Sequence, residues 1–162
     1  MEVVKIKLEE ISGVHDGLVR LEHDLDIEPV EIPDQALIPK NRFELVSETY
    51  PLTVVKAPSG SYVCVGQVTL YRWMKAHLKG EREVSCMVQR HSFVQGRVKA
   101  FFMLERTISP ALSKIEPYAS RALYEYILLM AKEWVHEYKN YAHFSKILGV
   151  KPFKGKWGSK DG

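Results

Sequence analysis

Alternating and β-branched apolar runs in the middle of the chain predict two paired strands. Residues 52–56 (Leu-Thr-Val-Val-Lys) are rich in β-branched side chains, and residues 61–65 form a second, largely apolar run. Between them, residues 58–60 read Pro-Ser-Gly, a sequence typical of a tight turn. The two runs and the turn together predict a β-hairpin.

A helix and another strand are predicted directly after this hairpin. Residues 67–79 carry apolar side chains at spacings of three and four, and Gly80 stands where a helix typically ends. Residues 83–88 (Glu-Val-Ser-Cys-Met-Val) again have strand composition. The order strand, turn, strand, helix and strand favours strands and helices packed in layers.

The first fifty residues have weaker patterns. Residues 3–8 alternate in part and predict an edge strand, whereas residues 9–28 are acidic and indicate turns. Residues 29–32 alternate and predict a short strand. Residues 33–39 predict one helical turn between two prolines, and residues 41–48 predict a short helix.

Strand patterns stop after residue 92, and helical spacing takes over. Residues 94–108 predict one helix, and residues 118–138 predict the longest one. The longer helix carries one apolar stripe, which indicates a core-facing side, and its aromatic side chains could also form the seam of a homodimer. A short helix is predicted for residues 142–148. The residues that define the stripe are Leu123, Ile127, Met130, Trp134 and Tyr138, and those of the alternative seam are Tyr124, Tyr126 and Trp134.

These patterns predict an α+β fold, in which a small mixed sheet packs with helices and is followed by a helical C-terminal extension. We expect an α/β domain over residues 1–92, the helical extension over residues 93–150, and a mobile basic tail over residues 151–162.

Composition narrows the class of protein. The chain has 162 residues, of which 46% are hydrophobic and 27% charged, so it can bury a core and is not a disordered or fibrous chain. No apolar run approaches the roughly 18 residues that span a bilayer. The first residues lack the basic-then-apolar order of a signal peptide. We therefore expect a cytoplasmic protein with no membrane partner.

Charge is distributed unevenly along the chain. Residues 1–50 contain 5 Lys and Arg against 12 Asp and Glu, a net charge of −7. Residues 51–138 have a net charge of +5, and residues 139–162 carry another +5, which together give the total of +3. Such polarity can steer a polyanion to one side of a molecule, although ordinary solvated faces would have the same composition.

Five segments between Pro29 and Val88 follow one another in the order of a known family. They are Val30-Glu31-Ile32-Pro33, Leu37-Ile38-Pro39, Pro51-Leu52-Thr53-Val54-Val55, Ser59-Gly60 and Tyr62-Val63-Cys64-Val65-Gly66. With the helix and strand that follow, they resemble the N-terminal domain shared by ParB-type partition proteins and sulfiredoxin. The resemblance covers roughly 60 of the 162 residues and implies the α+β fold of that family.

The resemblance implies a phosphate or nucleotide site at the turn after the second hairpin strand. The family motif Gly-Glu-Arg-Arg-x-Arg-Ala aligns with residues 66–72, which read Gly-Gln-Val-Thr-Leu-Tyr-Arg. The second family motif, Glu-Asn-x-x-Arg-x-Asp-Leu-Ser-Pro, aligns with residues 101–110. Glycine, a helix N-terminus and arginines suit phosphate because they offer close approach, free N–H groups and positive charge. The implied site residues are Gly66, Gln67, Thr69, Arg72 and Arg106.

Both motifs depart from the family pattern. Val68, Thr69 and Tyr71 stand at the three arginine positions of the first motif, and Arg72 comes one residue late. Glu105 stands at the arginine position of the second motif, with Arg106 beside it. The cysteine and histidine of sulfiredoxin have no counterpart at this turn. We therefore expect a degenerate nucleotide site without catalytic residues. The expected cofactor is none, or at most a nucleotide with Mg²⁺.

Other chemistry has little support in the sequence. Cys64 and Cys86 lie on apolar strands and are expected to be buried and inert. His136 and His143 are seven residues apart but have no third ligand nearby in the pattern, so no metal site is expected.

The resemblance and the charge polarity together predict a DNA-binding or DNA-associated protein of the ParB type, in partition or mobile-element maintenance. One alternative is a nucleotide-dependent phosphoryl-transfer enzyme or nuclease that uses the turn at Gly66; another is a protein-interaction adaptor. In the first hypothesis, basic side chains bind phosphates without reading sequence. These side chains are Lys75, Arg90, Arg97, Lys99, Lys151, Lys154 and Lys156.

Overall fold

A computed structural model describes residues 2–130 and 138–154 of the chain. It divides into two compact units, one of Met1–Ile32 with Arg42–Leu112, the other of Pro33–Asn41 with Ser113–Gly162. This division differs from the predicted boundary after residue 92. The reason is that Val94 and Phe102, which follow that boundary, are buried in the first unit.

The first unit is built on a five-stranded mixed sheet. Its strands are β1 (Val3–Lys7), β2 (Ile11–Val14), β3 (Leu52–Lys56), β4 (Tyr62–Gly66) and β5 (Glu83–Gln89), in the spatial order β1-β5-β3-β4-β2. The predicted hairpin is confirmed, because β3 and β4 are antiparallel neighbours. β5 runs parallel to β3, and β2 runs parallel to β4. The central strand β3 is covered on both faces, since Leu52, Thr53, Val54 and Val55 are all buried.

Six helices and one π-helical turn surround this sheet. They are α1 (Asp16–Asp24), α2 (Phe43–Thr49), α3 (Val68–His77), α4 (His91–Gln95), α5 (Val98–Met103), the π-helical turn Leu104–Ile108 and α6 (Ser109–Leu112). α3 confirms the helix predicted after the hairpin, and α2 the helix predicted for residues 41–48. The predicted α+β architecture, a mixed sheet packed with helices, is therefore confirmed.

Three local predictions for this unit are wrong. The acidic stretch 9–28 contains β2 and α1 rather than turns alone, because both elements are completed by distant partners. Residues 29–32 form no strand and are exposed, since Pro29 lacks an N–H group for pairing and no neighbouring strand receives them. The helix predicted for residues 94–108 is interrupted at Gly96 and Arg97 and ends in the π-helical turn.

The described part of the second unit contains two α-helices, α7 (Pro117–Met130) and α8 (Tyr141–Leu148). Aromatic side chains pack within this unit. The ring of Tyr124 lies 5.5 Å from the rings of both Tyr141 and Phe144, and Tyr118 packs edge-on against Phe153 at 5.7 Å. The hydroxyl of Tyr141 accepts a hydrogen bond of 2.7 Å from the backbone N–H of Phe153. These contacts fix the described part of the chain after α8 to the helices.

The long predicted helix is observed from Pro117 to Met130, and its remainder over residues 131–137, with Trp134, lies outside the described residues. Its apolar stripe is not all core, because Leu123 is exposed. The short helix predicted for residues 142–148 is confirmed, and it ends at Gly149 in the left-handed conformation with φ +70°. Within the described residues, no helix is both long enough and apolar enough to cross a membrane.

Candidate functional site

Position 66, at the end of β4, must be glycine because the neighbouring strand β3 lies very close to it. Thr53 on β3 is its cross-strand partner. A Cβ atom at Gly66 would lie 2.8 Å from Oγ1 and 2.9 Å from Cβ of Thr53, which no side chain tolerates. The φ of Gly66 is not positive, so steric proximity rather than backbone freedom makes glycine necessary here.

The next residue, Gln67, holds the strained backbone of the turn. It adopts the left-handed conformation, with φ 58° and ψ 41°, directly before α3 begins at Val68. A non-glycine residue pays roughly 1–2 kcal/mol for this conformation. The Gln67 side chain makes no capping hydrogen bond to the N-terminus of α3. The backbone N–H groups at the start of α3 therefore need an acceptor from elsewhere in the chain.

Glu105, on the π-helical turn, supplies that acceptor. Its Oε1 accepts a hydrogen bond of 2.6 Å from the backbone N–H of Val68, and its Oε2 accepts one of 3.0 Å from the N–H of Thr69. Oε2 also accepts a 3.2 Å hydrogen bond from the Thr69 hydroxyl. A carboxylate on a helix N-terminus is favourable because it satisfies free N–H groups and meets the positive end of the helix dipole. Glu105 thus occupies the position where this turn would bind an anion.

A second carboxylate, that of Glu22 on α1, binds both arginines of the predicted site. Arg72 donates to it twice, at 2.7 Å to Oε1 and 3.2 Å to Oε2, and Arg106 donates at 2.6 Å to Oε2. Glu22 is only 7% exposed. The hydrogen bond from Arg72, followed by its charge and by the bond and charge of Arg106, lowers the pKa of Glu22 against the opposing effect of burial. Glu22 is therefore an ionised, doubly paired carboxylate.

Of the predicted residues, Arg72 and Arg106 line one small space. Gly66 and Gln67 form the turn before α3 without lining that space, and Thr69 is connected to it through Glu105. Two further residues complete the site and were not predicted to belong to it. They are Glu22, which binds the arginines, and Glu105, which caps α3. The signal for Glu105 was present in the sequence, because it stands at the arginine position of the second motif. For Glu22 no signal existed, since it lies in a stretch that resembles an acidic loop.

This arrangement does not fit a nucleotide. The N–H groups of Val68 and Thr69 and the guanidinium groups of Arg72 and Arg106 already bind carboxylates of the protein. The open space among these side chains is about 20 Å³, enough for roughly one water molecule. Nucleotide-sized ligands need pockets of several hundred Å³. Within the described residues, no group of three or more His, Cys, Asp or Glu side chains could hold a metal ion.

The basic residues predicted to bind DNA have different environments. In the first unit, Lys75, Arg90 and Lys99 are exposed, and their side chains make no hydrogen bond or ion pair with other described residues. Arg97 lies over the ring of Phe93, 4.2 Å from its centroid, and donates to the Phe93 carbonyl. In the second unit, Lys151 and Lys154 are exposed. Lys156 and the end of the predicted mobile tail lie outside the described residues.

Both cysteines are buried, as predicted. Cys64 and Cys86 are free thiols with no exposed surface. Burial raises the pKa of the Cys86 thiol to about 12 and that of Cys64 well above its usual value. Because the thiolate is the reactive form, neither residue acts as a nucleophile near neutral pH.

Comparison with known proteins identifies the class of fold. No protein-family model and no curated protein sequence matches the chain. Among solved structures, it is similar to the C-terminally truncated chromosome-partitioning protein ParB from Caulobacter crescentus complexed with CTP-γ-S. The TM-score is 0.52 and the identity 12%, over 91% of this chain and 77% of that one. The chain therefore has a ParB-like α+β fold.

A second structure of the Caulobacter crescentus protein, complexed to the centromeric parS site, also matches. There the TM-score is 0.37 and the identity 16%, over 91% of this chain and 65% of that chain. That likeness is too distant to support an argument about this chain.

Proposed function

We propose that this chain is a non-catalytic, DNA-associated cytoplasmic protein of ParB-like fold, active in partition or mobile-element maintenance. In this proposal its nucleotide site has been replaced by internal ion pairs. The observation that carries it is the pairing of Glu105 with the N-terminus of α3 and of Glu22 with Arg72 and Arg106. The similar Caulobacter crescentus protein binds a CTP analogue, and here the chain's own carboxylates satisfy the groups suited to phosphate.

The charge balance of the site argues against phosphoryl transfer. Such reactions depend on positive groups that stabilise the charge spreading over the transferred phosphoryl group. Here the Glu22 carboxylate pairs with both guanidinium groups, and Glu105 adds a second negative charge at the helix N-terminus, so no net positive charge is left for a transition state. The site therefore stabilises the fold and ties α1, α3 and the π-helical turn together.

DNA association rests on the basic side chains that the fold leaves unpaired. Lys75, Arg90 and Lys99 are exposed without a described counter-ion, and residues 139–162 add a net charge of +5. Lysine and arginine at such positions bind phosphates of any sequence and release counter-ions.

Duplex binding at increasing salt tests this proposal. Each phosphate contact contributes about −0.9 to the slope of log K against log salt concentration. We expect a clearly negative slope, and a shallower one for Lys75→Ala. Binding that is absent at low salt, or that does not respond to salt, contradicts the proposal.

Calorimetry with CTP and ATP, with and without Mg²⁺, separates the enzymatic alternative. The proposal expects no binding of either nucleotide. Binding that Arg72→Ala abolishes would instead favour a nucleotide-dependent phosphoryl-transfer enzyme or nuclease. A protein-interaction adaptor would bind neither DNA nor nucleotide.

A further inference from the structure

We propose that a groove beside the edge strand β1 binds one nucleotide unit of single-stranded nucleic acid. The inference rests on the proposed association with DNA and specifies the form of nucleic acid that is preferred. The groove is separate from the site at Gly66, because the two share no lining residue.

The groove lies where β1 begins, β5 ends and α4 starts. It is open to solvent on one side and has a volume of about 550 Å³, room enough for one nucleotide unit. Two valines, one from each strand, provide an apolar surface, and polar and aromatic side chains complete it. The lining residues are Glu2, Val4, Val88, Gln89, Arg90 and Phe93.

Phe93 provides a stacking surface for a base. The residue is 39% exposed although it is a large aromatic side chain. Its ring orientation is fixed by two contacts, the guanidinium of Arg97 at 4.2 Å from its centroid and the ring of Phe101, edge-on at 6.4 Å. An exposed aromatic ring held in place loses little freedom when a base stacks on it, and every base offers a π-face.

Arg90, which lines the same groove as Phe93, provides positive charge. Its guanidinium makes no ion pair or hydrogen bond elsewhere in residues 2–130 and 138–154, so it is available to a phosphate oxygen. On the same groove, the carboxylate of Glu2 can accept hydrogen bonds from the N–H groups of a base. An aromatic ring, a guanidinium and a carboxylate within one groove match the base and the phosphate of a single nucleotide.

Single strands fit this arrangement better than duplexes. In a duplex the bases are paired and stacked on one another, so none can turn its face onto Phe93 without being flipped out. Unpaired bases stack freely on aromatic side chains, each contributing about a fivefold to hundredfold gain in affinity. The groove therefore predicts that single strands bind more tightly than duplexes, a preference that diffuse positive charge alone does not produce.

Fluorescence anisotropy of the full chain with a short labelled oligothymidylate, and with a duplex, tests the inference. We expect tighter binding of the oligothymidylate by the wild type. Phe93→Leu should lower that affinity by about tenfold and leave duplex affinity unchanged, whereas Phe93→Trp should retain it. Tyr50→Leu, which removes an exposed aromatic ring elsewhere, is the matched control. Arg90→Ala should weaken oligothymidylate binding more than Arg20→Ala.

The outcomes separate this inference from the proposed function. If duplex and oligothymidylate bind equally and Phe93→Leu changes neither, the groove is not a base site while DNA association stands. If neither binds at low salt, the proposed function fails as well. A circular dichroism spectrum and thermal midpoint of Phe93→Leu equal to those of the wild type show that a loss of affinity is not a loss of folding.

Discussion

The Glu105 carboxylate accepts a 2.6 Å hydrogen bond from the backbone N–H of Val68, across 37 positions of the chain. This bond joins the π-helical turn to the first turn of α3. Through it, a carboxylate of the chain itself makes the contact that a bound anion would otherwise make with this helix N-terminus.

Removal of this cap should destabilise the fold. Glu105→Ala leaves the N–H groups of Val68 and Thr69 without their acceptor, and the expected loss is about 1–2 kcal/mol in the free energy of unfolding. Glu81→Ala, at an exposed position, should change it by less than about 0.5 kcal/mol. Urea unfolding at neutral pH measures both. Equal stability of the two variants would show that the Glu105 contact contributes nothing.

Glu22 should make stability depend on acid pH. Since its pKa is lower in the folded chain than the ordinary value of 4.5, its pairing stabilises the fold above that value. The contribution is lost as the pH falls through the folded-state pKa. We expect Glu22→Gln to cost about 2 kcal/mol at pH near 7, because it leaves two part-buried guanidinium groups without a counter-ion.

The same variant should differ less from the wild type in acid. Urea unfolding of both proteins at neutral pH and well below pH 4.5 measures the difference between them. A difference that is as large in acid as at neutral pH would mean that ionised Glu22 is not what stabilises the wild type. Glu81→Gln provides the control for general effects of acid.

Gln67→Gly should stabilise the protein. Gln67 is held in the left-handed conformation, which glycine adopts without steric cost, and its side chain makes no capping bond. The expected gain is about 1 kcal/mol in the free energy of unfolding. Gln95→Gly, at the last residue of α4, should instead destabilise, because glycine weakens a helix. A loss of stability for Gln67→Gly would indicate that the side chain has a role in the turn.

The central hairpin and the helix after it could be predicted because their signals are local. β3, β4 and α3 each have a clear periodicity and a turn residue at the right end, and their order matches the family pattern. By contrast, β2 is four residues long and is recognisable only through its pairing with β4, some fifty positions later. Residues 29–32 have strand periodicity but no neighbour, which shows that alternation alone does not make a strand.

Several residues of the site could be predicted from the sequence, but the internal pairing of their charges could not. Gly66 and Arg72 could be placed from the motif, whereas the partners that neutralise the arginines lie far away in sequence. Glu22 is 50 positions from Arg72 and 84 from Arg106, and the sequence around it indicates only solvated charge. Whether a phosphate-type site is open or internally paired is a tertiary property, since it depends on which carboxylate the fold brings to it.

The homodimer through the helical extension stays a prediction, and the exposed side of α7 offers a place to test it. Of the predicted seam residues, Tyr124 packs against Tyr141 and Phe144 within its own unit, and Trp134 lies outside the described residues. Its exposed positions between Pro117 and Leu129 are Leu123, Tyr126 and Leu129, with 45%, 52% and 59% of their surface accessible. These three side chains follow one another at intervals of three residues, so they lie on one side of the helix. A helix with large apolar side chains on its exposed side is typical of one that packs against another surface.

A charge introduced on this surface tests the dimer. Leu129→Glu keeps a good helix former but places a carboxylate in the expected seam, where desolvation should weaken association by at least about tenfold. Leu45→Glu, on the exposed side of α2 in the other unit, should leave association unchanged. Sedimentation equilibrium over a range of protein concentrations measures both. If the wild type remains monomeric throughout, the apolar side of α7 does not pair with a second copy, and the dimer prediction is wrong.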